Sequence, residues 1–222
     1  SPVIHEPFRQ WVIEDDFVDG ARPDLAAVGV QMVADVAPFE VMKLRMLNGT
    51  HSALAYLGYL AGLETISDTV ADPVFVDFAR HLWRDEIIPV VPSPPGVDLA
   101  GYGDALLARY QNPAIRHRTW QIAMDGSQKL PQRILATLAD AKAPCPGLCL
   151  AVAAWMRYVG GVDEAGRPIE VKDPLAAELR QHANSASPVA ALLSMRAVFS
   201  PEIAERIAEP VAAAYARLVQ LG

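Results

Sequence analysis

Three side chains of different chemistry lie close together in the stretch KLRMLNGTH: Lys43, Asn48 and His51. The residues around them favour a helix. At about 100° per residue, Asn48 lies about 140° around that helix from Lys43, and His51 lies between them at about 80°. An amine, an amide and an imidazole on one face are the groups needed to move a proton to or from a substrate oxygen and to hold that oxygen by hydrogen bonds. The spacing therefore predicts acid–base chemistry.

The elements that must position these residues are mainly helices. Apolar residues recur from Pro38 to about Leu63 and predict the helix that carries the motif. The nearly uniform apolar run from Leu148 to Tyr158 predicts a central buried helix. Capping residues, prolines and apolar spacing predict further helices over residues 72–88, 98–110, 112–124 and 126–141, and from residues 174 and 201 onward.

The N-terminal residues follow a different pattern. The stretches Phe8–Ile13 and Val28–Val33 are rich in β-branched and aromatic residues, and turn-forming residues 19–23 separate them. We expect a short two-stranded β element there. The fold class predicted for residues 1–222 is therefore mainly α, with a β-containing segment over 1–36 and a multi-helix bundle over 37–222.

Composition excludes several classes of function. The net charge of −7 argues against nucleic acid or an anionic membrane as the main partner. Apolar runs are too short to cross a bilayer, and the N-terminus lacks a secretory leader pattern, so we expect a cytoplasmic protein. Cys145 and Cys149 match no common zinc pattern and are expected to be buried, reduced thiols. We expect no metal site.

Known cofactor and nucleophile motifs are missing from the sequence. No G-x-G-x-x-G follows a predicted strand, and neither a Walker A sequence, a G-x-S-x-G nor an H-E-x-x-H occurs. If the protein uses a dinucleotide cofactor, we expect the main binding domain to lie outside these residues.

The motif Lys43-x4-Asn48-x2-His51 resembles the catalytic signature of the polyol-specific long-chain dehydrogenases/reductases, which include mannitol 2-dehydrogenases and fructuronate reductases. Residues 6–14, 116–129 and 155–163 extend this resemblance over almost the whole chain. It implies the C-terminal, substrate-binding domain of such an enzyme, without the family's N-terminal Rossmann domain. The cofactor, NAD or NADP, would be bound mainly by that partner domain, and this chain alone would be inactive.

The resemblance also implies roles for individual residues. Lys43 would be the general acid/base, and because a free lysine has a pKa of about 10.4, burial or nearby positive charge would have to lower it. Asn48 and His51 would donate hydrogen bonds to the reacting oxygen. Gly49, without a side chain, would let the nicotinamide or the substrate approach the helix closely.

A second motif, RHRTWQIAMDGSQKLPQR, bears on the substrate. Lys129 matches the family lysine that holds a substrate hydroxyl or carboxylate. Mannitol-type enzymes have an arginine eight residues before it, whereas this chain has Gln121 and looks more like the fructuronate reductases. Arg116 and Arg118, together with Arg133, add positive charge suited to a carboxylate. The motif therefore favours a sugar acid, fructuronate or mannonate, over a neutral polyol.

Three alternatives remain open at this point. The chain could serve a mannitol 2-dehydrogenase or a related polyol dehydrogenase. It could be a helical module that binds sugar acids without catalysing a reaction. It could also be an oligomerisation domain that uses its alanine-rich helices as an interface. Outside the two motifs, His117 is expected to be structural or exposed, and Trp11 is expected to lie in the core.

Overall fold

In the computed structural model, residues 8–221 are described; Glu6 and Pro7, at the start of the family resemblance, lie outside them. Two short strands confirm the β element expected near the N-terminus. Strand β1 (Val12–Glu14) and strand β2 (Gln31–Val33) run parallel, with Val12 opposite Gln31. Two 3₁₀ turns lie in the connection, at Val18–Gly20 and Ala26–Val28.

Helices form most of the remaining described chain, as predicted. Their bounds are α1 (Ala37–Met42), α2 (Thr50–Leu60), α3 (Ile66–Thr69), α4 (Pro73–His81), α5 (Leu99–Tyr110), α6 (Thr119–Ala123), α7 (Gly126–Leu130), α8 (Ala136–Asp140), α9 (Pro146–Val159), α10 (Ala176–Ala183), α11 (Pro188–Leu193) and α12 (Pro201–Leu221). Three π-helical stretches join some of them: π1 (Lys43–Gly49), π2 (Leu82–Ile87) and π3 (Pro131–Leu135). A 3₁₀ turn, Ile88–Val90, follows π2.

The central buried helix is α9, as the sequence predicts. It packs between α2 and α12, and Trp155 and Tyr158 are almost completely buried. Its N-terminus is capped by the buried carboxylate of Glu86, which accepts hydrogen bonds from the backbone N–H groups of Gly147 (2.7 Å) and Leu148 (2.8 Å). A carboxylate at this end of a helix also interacts favourably with the helix dipole.

One predicted helix is wrong. Residues 112–124 do not form a single helix, because the chain before Thr119 pairs with another segment. The backbone N–H of Ile66 donates to the carbonyl of His117 at 2.9 Å, and that of Thr119 donates to the carbonyl of Glu64 at 3.0 Å. Only α6, which begins at Thr119, remains helical. Long-range backbone pairing of this kind leaves no periodic signal in the sequence.

Cys145 and Cys149 are free and buried, as predicted. Burial raises the pKa of the Cys149 thiol to about 12. Within residues 8–221, no helix is long and apolar enough to cross a membrane, and no group of three or more His, Cys, Asp or Glu side chains could hold a metal ion.

Candidate active site

The motif of the opening lies on one continuous helical rod made of α1, π1 and α2. Its middle turn is not α-helical, and two side chains from outside the rod bind it. The indole Nε1 of Trp83 donates to the carbonyl of Met46 at 3.0 Å, and the Tyr110 hydroxyl donates to the carbonyl of Leu47 at 2.7 Å. These bonds attach π1 to π2 and α5. Single π-helical turns within α-helices are often found at functional sites.

The π turn changes the predicted arrangement of the motif. Hydrogen bonds in a π-helix join residues five apart, so Lys43 and Asn48 lie more nearly above one another than the 140° separation expected for an α-helix. The Lys43 side chain is exposed, while Asn48 and His51 are partly buried. The amine and the amide are therefore closer in direction than predicted.

His51 lies among aromatic rings and positively charged side chains. Its Nε2 is buried and has no hydrogen-bond partner among the described residues. The ring stacks on Tyr110 at 5.2 Å between centroids and lies at the same distance from the ring of His117. Burial, followed by the charges of His117, Arg133 and Arg109, lowers the pKa of His51 from 6.5 to about 3. His51 is therefore neutral at neutral pH, and the hydrogen-bonding capacity of its Nε2 is unused within residues 8–221.

Gly49 has a packing role in this structure. It is buried, and a Cβ atom placed there would lie 2.6 Å from the backbone carbonyl oxygen of Arg133. The missing side chain lets π1 and π3 cross in direct backbone contact, so a packing requirement accounts for this glycine. Contact of Gly49 with the cofactor stays a prediction.

The crossing places Arg133 beside the motif helix. Its Nη1 donates to the hydroxyl of Ser52, the residue after His51, at 3.0 Å. The sequence indicated only that Arg133 belongs to a positively charged segment. The contact with Gly49 and the bond to Ser52 now attach it to the same rod that carries Lys43, Asn48 and His51.

Lys129 lies near the end of α7, one helical turn before Arg133 of π3. Its Nζ donates to the Met124 carbonyl at 2.6 Å and lies 3.8 Å from the Asp125 carboxylate. Burial lowers the pKa of Lys129, and the charge of Arg133 lowers it further, while Asp125 and Asp173 oppose the change. The effect of Arg133 indicates that the two cations lie within electrostatic range of each other.

Arg116 and Arg118 lie on the side of their extended segment that faces away from His51. The two guanidinium groups, 68% and 55% exposed, pair with Glu64 at 3.6 and 3.7 Å. Because alternate side chains of an extended chain point in opposite directions, His117 between them contacts His51 instead. Gln121 is exposed on α6. Substrate binding by Arg116, Arg118 and Gln121 stays a prediction.

Lys43 and Arg118 line two different cavities. A groove of about 300 Å³ contains Lys43, and its lining includes Trp11, Phe39, Glu40, Leu47, Tyr102 and Arg109. Trp11 is 62% exposed, so its predicted place in the core is wrong. Arg109 also acts electrostatically on His51 and therefore connects the groove with the imidazole. Arg118 instead lines a cavity of about 520 Å³ with Trp120 and Arg167.

Several neighbours of His51 were not predicted as site residues from the sequence. Tyr110 and Arg109 belong to the last turn of α5, and His117 belongs to the extended segment that pairs with residues 64–66. Nothing in their sequence separation from the KLRMLNGTH motif indicates that these residues lie beside His51. Only the local positive charge around Arg133 gave a signal of this part of the site.

Comparisons with known proteins show the family of the chain. Residues 35–219 match the family model of the mannitol dehydrogenase C-terminal domain. D-mannonate oxidoreductase of Escherichia coli is 51% identical over 225 residues, which cover 98% of this chain and 46% of that protein. Mannitol dehydrogenase DSF1 of Saccharomyces cerevisiae is 45% identical over 207 residues, covering 91% and 41%.

A solved structure gives the same result. The ternary complex of Pseudomonas fluorescens mannitol 2-dehydrogenase with NAD and D-mannitol matches with a TM-score of 0.89 and 36% identity, covering 98% of this chain and 45% of that one. The chain spans about half the length of the curated relatives it matches. The order of motifs, the helical fold and these matches show that the chain belongs to the mannitol dehydrogenase C-terminal domain family.

Proposed function

We propose that this chain supplies the substrate-binding and catalytic residues of an NAD(P)-dependent oxidoreductase that interconverts a ketone and a secondary alcohol on a sugar acid. Fructuronate and mannonate are the proposed pair. The observation that carries the proposal is His51: a neutral imidazole whose buried Nε2 has no partner among residues 8–221, on the same rod as the exposed amine of Lys43. The similarity to D-mannonate oxidoreductase supports the choice of substrate.

In the proposed reduction, Lys43 gives a proton to the carbonyl oxygen as that oxygen becomes an alcohol. Asn48 and the neutral His51 donate hydrogen bonds to the same oxygen and stabilise its developing negative charge. His51 is suited to this task because burial keeps it neutral and its Nε2 has no partner among residues 8–221. Oxidation runs in reverse, with a deprotonated Lys43 removing the proton.

A nicotinamide cofactor, when bound, supplies or accepts the hydride. The residues present fit such chemistry, because Lys43 lines an open groove and the Nε2 of His51, on the same rod, has no hydrogen-bond partner among residues 8–221. The sequence has no dinucleotide fingerprint, so we propose that an N-terminal Rossmann domain of the full-length protein makes most of the cofactor contacts.

Lys129 is the proposed substrate-binding residue of the second motif. Its ammonium is fixed by Met124 and Asp125 near Arg133, which gives this part of the site a positive potential in an acidic protein. A positive site favours a sugar acid over a neutral polyol.

A neutral polyol is the second candidate substrate. The observation that favours it is the close structural match to a mannitol 2-dehydrogenase complex that contains D-mannitol. In that case Lys129 would hold a hydroxyl group, and the positive charge around it would contribute little to specificity.

The test is an assay of NADH and NADPH oxidation by the full-length protein with fructuronate and with fructose. We expect turnover with fructuronate and less with fructose. Faster turnover of fructose would favour the polyol alternative. If a folded full-length protein turned over neither substrate, the oxidoreductase proposal would be wrong.

Activity and binding assays of the 222-residue chain and of the full-length protein distinguish the remaining alternatives. We expect it to fold and to show no NAD(H)-dependent turnover, because most cofactor contacts would lie outside it. Sugar-acid binding by a full-length protein without turnover would instead indicate a binding module. Self-association without ligand binding or turnover would indicate an oligomerisation domain.

A further inference from the structure

Arg133 carries a charge without an acidic partner in the described part of the chain. Its one recorded polar contact there is the bond from Nη1 to the hydroxyl of Ser52. Neighbouring cations are paired: Lys129 with Asp125, and Arg118 with Glu64. Among residues 8–221, Arg133 therefore has no compensating carboxylate, unlike Lys129 and Arg118.

The position of Arg133 makes the missing partner costly. The side chain is partly buried, and burial is the main cause that lowers the pKa of its guanidinium. A charged group removed from water loses favourable solvation unless an opposite charge or hydrogen bonds replace it. One hydroxyl satisfies only one of the five N–H donors of a guanidinium. The remaining donors favour an anion.

A direct contact places Arg133 beside the motif helix, since its Nη1 donates to the hydroxyl of Ser52, the residue after His51, at 3.0 Å. The charge of Arg133 lowers the pKa of both His51 and Lys129, so its guanidinium lies within electrostatic reach of the hydrogen-bond donor and of the substrate-binding lysine. Its backbone carbonyl packs against Gly49. This contact fixes π3 against π1, and the side chain begins at a rigid point of the site.

We propose that Arg133, held by Ser52 and flanked by Lys129, binds the carboxylate of the substrate and makes the site selective for a sugar acid over a neutral polyol. This inference rests on the proposed function. The planar guanidinium can donate two parallel hydrogen bonds to a carboxylate, a geometry that an ammonium group cannot reproduce. Arg116 and Arg118, which face Glu64, are then not the carboxylate-binding residues.

Kinetics of the full-length protein with fructuronate and fructose test this role. In Arg133→Gln, we expect KM for fructuronate to rise by about 10- to 100-fold, the range for losing charge-assisted hydrogen bonds. KM for fructose should change by less than about threefold, and kcat should change little for either substrate. Arg133→Lys should fall between the wild type and Arg133→Gln. Arg84→Gln removes the same charge from an exposed position and should leave both substrates unaffected.

A loss of similar size for both substrates would overturn the proposal, because it would show a structural role. An unchanged KM for fructuronate would overturn it too. If Arg133→Gln does not fold, Ser52→Ala decides the question: losing the bond that orients Arg133 should raise KM for fructuronate by about threefold to tenfold and leave KM for fructose unchanged. Equal effects on the two substrates would count against the proposal.

Failure of the proposed function would look different. If the wild-type protein turned over neither substrate, binding of mannonate and mannitol would be measured by titration calorimetry on the same protein. Mannonate binding that Arg133→Gln weakens at least tenfold would support a carboxylate site without catalysis. Mannonate binding that is absent, or equally strong in Arg133→Gln, would overturn the inference about Arg133.

Discussion

Two segments of this molecule resemble the family signatures, and they differ in how many contacts fix them and in how exposed their charged side chains are. The first, Lys43–His51, is fixed on several sides: Trp83 and Tyr110 bind its carbonyls, and Gly49 packs on Arg133. The second, residues 116–121, exposes its arginines and pairs them with Glu64. A sequence motif thus locates a region, whereas burial and unsatisfied polar groups show which side chains in it are free to bind a ligand.

The largest expected effect is the loss of the acid/base at the first segment. In the full-length protein, Lys43→Ala should reduce kcat for fructuronate by about 10²- to 10⁴-fold, because proton transfer would lose its positioned group. Far-ultraviolet circular dichroism should be unchanged, since the Lys43 side chain is exposed. Lys142→Ala, another exposed lysine, is the matched control and should retain full activity. Equal activity of the two variants would remove Lys43 from the mechanism.

The next effect is an acid sensitivity that comes from His51. The folded pKa of about 3 lies below the unfolded value of 6.5, so between these pH values the unfolded chain binds a proton that the folded chain does not. The stability that neutral His51 contributes is therefore present above about pH 6.5 and is lost as the pH falls towards 3. Between pH 7 and pH 4.5, this loss amounts to about 2–3 kcal/mol.

Urea denaturation of the 222-residue chain at these two pH values measures this contribution. His51→Gln should lose about 2–3 kcal/mol less free energy of unfolding than the wild type over the same interval, because glutamine does not titrate. His182→Gln, a change at a half-buried histidine of α10 that lies outside the site, provides the comparison. Identical pH profiles for the wild type and His51→Gln would show that His51 is not held neutral.

The crossing of π1 and π3 should be sensitive to a single methyl group. Gly49→Ala should destabilise the chain by about 1–3 kcal/mol, since the new Cβ meets the rigid backbone carbonyl of Arg133. In Gly101→Ala the nearest atom is a side-chain carboxylate oxygen of Asp98 and not a backbone atom, so this variant should be destabilised less than Gly49→Ala. Thermal unfolding of both variants makes the comparison. A stable Gly49→Ala chain would mean that the two helices do not need this contact.

The smallest effect is expected at the second segment. Arg118→Gln should change the free energy of unfolding by less than about 0.5 kcal/mol, because its partner Glu64 is also exposed. Its kcat/KM for fructuronate should stay within about threefold of the wild type if Arg133 binds the carboxylate. A tenfold or greater loss, confined to the sugar acid, would restore Arg118 as a substrate-binding residue and would weaken the distinction between the two segments.

The sequence predicted the parts of the fold that local patterns determine. The long helix after Pro38, the buried helix α9 and the two N-terminal strands all follow from apolar spacing, β-branched composition and turn residues. The π geometry of residues 43–49 did not, because side chains distant in sequence, Trp83 and Tyr110, contribute to it. The break before α6 was missed for a similar reason.

The candidate site was predictable to a similar degree. Lys43, Asn48 and His51 have a fixed spacing, which makes the motif recognisable. The neighbours that determine the charge state of His51 come from α5, from π3 and from the segment that contains His117, and their positions depend on packing. Gly49 shows the limit most clearly, because the same residue suits close approach of a ligand and close approach of a helix.

The central claim is that π1 and its neighbours hold His51 as a neutral hydrogen-bond donor whose Nε2 has no partner among residues 8–221. Nuclear magnetic resonance of the ¹⁵N-labelled chain, recording the imidazole nitrogens from pH 8 to pH 4, tests it directly, with His51→Gln identifying the signal. We expect His51 to remain neutral over this whole range and its Nε2 to carry the proton. A titration midpoint near 6.5 would contradict this account of the site.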